Sequence, residues 1–78
     1  MLYTVKLVDE SVRIRVIRAI LGITVKEFAE RVNVSTHTVT HWEHGHNVPH
    51  PKPRKAIAEI CRKHRIGIRP DGFPVPVE

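Results

Sequence analysis

Thr36, His37, Thr40, His41 and His44 recur at the spacing of one helix face, and all five side chains donate or accept hydrogen bonds. Two kinds of chemistry fit such a stripe. A row of hydroxyls and imidazoles can bond to a polar partner laid along the helix, and imidazoles at i, i+4 and i+7 have the spacing of a zinc or nickel site. No carboxylate or thiolate shares the face, so no metal and no cofactor is assigned to it. Nucleophilic catalysis finds no support either. Ser35 lies close to these histidines but lacks an oxyanion hole or a nucleophile elbow, and the carboxylates are scattered over helix faces, so the chain reads as a non-enzyme.

Charge narrows the partner. Thirteen Lys and Arg against eight Asp and Glu leave a formal +5, the balance expected of a protein that meets a polyanion such as nucleic acid. The excess sits in two blocks: Arg13, Arg15 and Arg18 with no acid in residues 11–24, and six Lys and Arg against Glu59 alone in residues 44–65. They flank a near-neutral middle, as expected if basic segments hold a phosphate backbone while the middle selects. With 78 residues the chain is expected to form one domain over 1–78, its core over 9–65 and terminal segments at 1–8 and 66–78. The single cysteine, Cys61, excludes an internal disulfide and a cysteine zinc cage, and fits a reducing cytoplasm. No apolar run is long enough for a membrane span, and residues 1–10 lack a signal-peptide pattern.

Four helices must position the polar face. Ile14, Ile17 and Leu21 form an apolar stripe between the acidic start at Asp9–Glu10 and the stop at Gly22. Thr24 and Glu27 form a capping box, which predicts a second helix from Val25, with Phe28, Ala29 and Val32 buried. Asn33 tolerates the left-handed conformation that turns the chain sharply. Ser35 then caps a third helix over Thr36–His44, with Val39 and Trp42 inward and Gly45 as the stop. A fourth helix is predicted over Lys52–His64, with Ala56, Ile57, Ile60 and Cys61 on its core side. At the ends, Leu2–Val8 alternates like a strand, Arg69–Gly72 reads as a turn, and Phe73, Val75 and Val77 alternate with Pro74 and Pro76. The prolines leave such a strand room for one neighbour, and the N-terminal strand is the expected one, within the chain or across a dimer. Val12, Val16, Ala19 and Ile20 give helix 1 a further apolar face that the terminal strands or a second subunit would cover.

The segment from Thr24 to Gly45 thus reads as a helix-turn-helix. With Arg18-x-x-Leu21-Gly22 before it, Trp42-Glu43-x-Gly45 closing it and Pro49 following, residues 11 to about 64 resemble the lambda-repressor/Cro-type (Xre) DNA-binding domains. The resemblance implies an all-α domain of four to five helices with the third helix in the major groove. It places base reading at Thr36, His37 and His41, with Thr40 in reach, and phosphate contacts at Lys26, Ser35, His44, Asn47, Lys52 and Arg54. It also implies an Arg18–Glu43 ion pair, and a homodimer on double-stranded DNA. Val25 and Asn33 stand where that family often has glutamine and glycine. A small Cro-like phage or prophage regulator that occupies an operator is the function so implied. An excisionase-like DNA-bending protein and an antitoxin or anti-repressor interaction module are the alternatives.

Overall fold

The computed structural model describes residues 7–77. Four helices, α1 (Glu10–Leu21), α2 (Val25–Val32), α3 (Thr36–Glu43) and α4 (Pro51–Lys63), are followed by strands β1 (Ile66–Ile68) and β2 (Pro74–Pro76). The all-α expectation with a short two-stranded element is met with four helices. α3 stops one residue before His44, and α4 starts on Pro51, whose missing N–H costs nothing at a first helical position.

Local chemistry sets the boundaries. Gly22 ends α1 at φ 67°, and its N–H returns to the carbonyls of Arg18 and Ala19. The Thr24 hydroxyl accepts from Glu27 N–H at 3.1 Å, and the Glu27 carboxylate accepts from Thr24 N–H at 2.9 Å. That second bond, to a backbone donor, holds the Glu27 carboxyl below its ordinary range. Asp9 occupies the corresponding position before α1 without a side-chain bond to the helix.

Asn33 leaves α2 at φ 60° and ψ 47°, and Val34 N–H closes the corner on the Ala29 carbonyl at 3.0 Å. Asn33→Ala should therefore lower stability by about 1 kcal/mol in urea unfolding, because a Cβ without a local polar partner is disfavoured there. Asn33→Gly should leave it unchanged or slightly raised. Equal losses in both variants would show that backbone conformation is not the cause.

The core gathers Ile14 and Ile17 from α1, Phe28, Ala29 and Val32 from α2, Val39 and Trp42 from α3, Cys61 from α4 and Ile66 from β1. Ile66 carries it past residue 65. Leu21, Val34, Ala56, Ile57 and Ile60 are only half-buried around its edge, so Cys61 alone of the expected α4 set is fully inside. Burial pushes the Cys61 thiol up, away from thiolate chemistry.

The pairing expected of the termini is corrected. Leu7 and Val8 form no strand, and the rest of the expected strand, residues 2–6, lies outside the described residues. The neighbour of β2 is β1, antiparallel, with Gly67 opposite Val75. Val77 N–H donates to Arg65 at 2.8 Å and the Phe73 carbonyl accepts from Arg69 N–H at 3.0 Å, so the odd-numbered residues face β1 and the two prolines turn their donorless nitrogens outward. Arg65, at φ 55°, turns the chain out of α4 and into β1. The Asp71 carboxylate accepts from Phe73 N–H at 3.1 Å and pairs with Arg69 at 2.6 Å, two bonds that tighten the turn and hold Asp71 below its ordinary value. β2 lies against α1. Arg13 ties the parts together: its guanidinium donates to the carbonyls of Gly72 and Val8 and to Glu10.

Candidate nucleic-acid interface

Helix α3 is held from beneath and capped at its start. Val39 is fully buried, Trp42 nearly so, and both pack into the core between α1 and α2. The Ser35 hydroxyl accepts from Thr38 N–H at 3.1 Å and lies 2.8 Å from the Thr38 hydroxyl, so that side chain fixes the first turn. At the other end Glu43, 8% exposed, forms a two-point pair with Arg18: Nε at 2.8 Å and Nη2 at 3.1 Å. The remaining nitrogen of Arg18 donates to the Ile23 carbonyl at 3.2 Å. The Glu43 hydrogen bonds raise the affinity of Arg18 for its proton, so the link between α1 and α3 stays charged.

The opposite face of α3 looks outward. Thr36 and His37 are exposed, and Thr40 and His41 are half-buried among their neighbours. Thr40 donates its hydroxyl proton to the Thr36 carbonyl at 3.0 Å, so it offers a partner its lone pairs and methyl group. The imidazoles of His37 and His41 stand 4.1 Å apart, centroid to centroid. Beyond α3 the chain doubles back, with Gly45 at φ 75° and His46 N–H on the His41 carbonyl at 2.9 Å. This turn brings His46 to 5.2 Å from His41 and 6.2 Å from His44. His44 therefore meets the cluster through His46. Spacing along the sequence could not reveal His46, because the fold-back at Gly45 places it. Among the described residues no three His, Cys, Asp or Glu side chains are placed to hold a metal ion. Partial burial, and then the charges that His37, His46 and His44 would carry, push His41 below the ordinary imidazole value.

The side chains expected at phosphates differ in what already holds them. Lys26, in the first turn of α2, and Lys52, in the first turn of α4, are exposed and without an ion pair among the described residues. Asn47 is exposed in the loop between α3 and α4. Arg54 is engaged elsewhere: it pairs with Glu10 at 2.9 Å and donates to the Pro49 carbonyl at 3.1 Å. Arg13, another basic side chain near a helix start, is likewise spent on internal partners. Glu10 lies three residues before Arg13, a signal legible in the sequence, whereas its bond to Arg54 spans 44 positions.

Residues 7–47 match the profile of the homeodomain-like domain, a stretch that begins just before α1, ends in the turn after α3 and covers more than half of the chain. No match is found among curated proteins or solved structures. The matched stretch holds α2, the Asn33 corner and α3, which are the two helices and turn of the motif, with α1 packed on α3. With that match, the chain belongs to the homeodomain-like domain family and carries its helix-turn-helix.

Proposed function

We propose that this protein is a sequence-specific DNA-binding transcription regulator of the Cro/repressor kind, of phage or prophage type, that occupies an operator as a homodimer. The observation that carries the reading is the two-sidedness of α3. One side is locked by Val39, Trp42 and the Arg18–Glu43 pair, and the other presents Thr36, His37, Thr40 and His41 outward. A helix held so rigidly can bring side chains to base edges in a major groove. Lys26, Lys52 and Asn47 supply the phosphate contacts that set its register, joined by Ser35 and His44 at the two ends of α3. Arg54 contributes field more than contact while Glu10 holds it. The ion pair and the Trp42–Gly45 close of α3 support the Cro-type reading, and pairing of half-sites in this class of motif supports the dimer.

Selection of bound sequences from a random duplex pool tests the proposal. An enriched motif with two-fold symmetry is the expected outcome, and an unenriched pool overturns the reading. Proton linkage gives a second check. Partial burial, and then the neighbouring imidazoles, depress His41 in the free protein, whereas phosphates beside it favour the imidazolium. The complex then holds more protons than the free protein, so affinity should rise as pH falls from about 8 to about 6 at fixed salt. A flat profile in a fluorescence-anisotropy titration would remove the histidines from the interface.

A further inference from the structure

An apolar groove opens between α1, α4 and β1, on a flank that α3 does not line. Ile14, Ile17, Cys61 and Ile66 form its floor, Ile57 and Ile68 its walls, and its volume of about 370 Å³ lies in the range of small-ligand sites. Ile68 is 49% exposed at the rim, so an apolar occupant would gain by removing it from water. The mouth is cationic. Arg13, Arg54 and Arg62 stand there, with Glu10 the lone acid among the described residues that line it. Glu10 serves two guanidiniums at once, Arg13 at 3.2 Å and Arg54 at 2.9 Å, which leaves one positive charge unmatched. Arg62 is taken by Glu59, outside the groove, at 2.6 Å. An apolar floor under one uncompensated cation fits a ligand with an apolar body and a single anionic head.

We propose that this groove binds a medium-chain monocarboxylate, its chain over Ile14, Ile17 and Ile57 and its carboxylate on Arg54. Arg54 is the reporter of occupancy, because the same guanidinium donates to the Pro49 carbonyl at the end of the loop that carries Asn47. A ligand carboxylate that draws Arg54 toward the groove changes the environment of that loop. The inference rests on the groove alone and does not require the DNA reading.

Octanoate titrated into the full chain, followed by backbone amide shifts, tests it, with octanol as the uncharged probe of the same length. The expected result is saturable one-to-one binding, with shifts at Ile57, Cys61 and Ile68 that extend to Asn47. Arg54→Gln should bind octanoate about tenfold more weakly and octanol unchanged, because a charge-assisted bond is lost while the apolar contact stays. Ala58→Trp, at an exposed α4 position on the groove wall, should block both probes while the remaining amide spectrum keeps its native dispersion. Non-saturable shifts in the unaltered chain, octanoate binding that survives Ala58→Trp, or equal octanoate affinity in Arg54→Gln would each overturn the proposal. So would an Ala58→Trp variant whose main effect is to split a dimer of a chain that takes no octanoate, since the groove would then be a seam between copies.

Discussion

Replacing Arg18 by alanine is expected to destabilise the domain by about 3–5 kcal/mol, the cost of leaving a buried carboxylate without its partner. Glu43 is 8% exposed, and among the described residues both of its hydrogen bonds come from Arg18. A domain of this size has only about 5–10 kcal/mol in hand, so the variant should sit near its unfolding transition at moderate temperature. The loss arises from the stranded charge more than from the attraction itself, and Arg18→Met combined with Glu43→Leu should therefore regain most of it. Urea unfolding of the three proteins decides the matter. A single variant that loses less than about 1 kcal/mol would mean that water reaches Glu43 and that the pair is no more than a surface bridge. Because the pair is the bond between α1 and the end of α3 that carries Trp42, the single variant should also lose DNA affinity at temperatures where it remains folded.

The second large effect separates reading from holding. His41→Ala should change which base is preferred at one position of the selected sequence, with a loss of about 1–3 kcal/mol on the best site and little loss on random duplex. Lys52→Ala should weaken every sequence alike and reduce the slope of log affinity against log salt by about one. The difference follows from placement. His41 lies on the outward face of α3 between His37 and His46, whereas Lys52 stands exposed in the first turn of α4 with no carboxylate bound to it among the described residues. Titrations of both variants on the selected and a scrambled duplex, over a salt series, provide the check. Equal losses on both duplexes for both variants would refute the division of labour.

Most of the helical frame is legible in the sequence. Capping is a local event, written within three or four residues: Thr24 with Glu27, Ser35 before Thr36, Gly22 and Asn33 at left-handed exits. The 3.6-residue period likewise marks Ile14, Ile17, Phe28, Val32, Val39 and Trp42 as inward without reference to partners, and all six are buried. The constraint that β2 has one open edge was legible for the same reason, since a proline lacks its donor wherever the strand lies. Its partner was not. Ile66–Ile68 is a three-residue strand with a glycine at its centre, too short for an alternation to register, and its pairing with β2 depends on Arg65 turning the chain out of α4.

The polar stripe of α3, its capping and its apolar underside are properties of neighbouring residues, so the order of side chains along the chain was enough to set them out. Which cations remain available, and which histidines meet, depended on contacts between distant segments. Glu10 takes Arg54 across 44 positions, and the fold-back at Gly45 carries His46 to His41. Short-range geometry follows from local backbone preference. The partnering of long charged side chains follows from which helices pack together, and that is settled by burial of the whole core rather than by any segment alone.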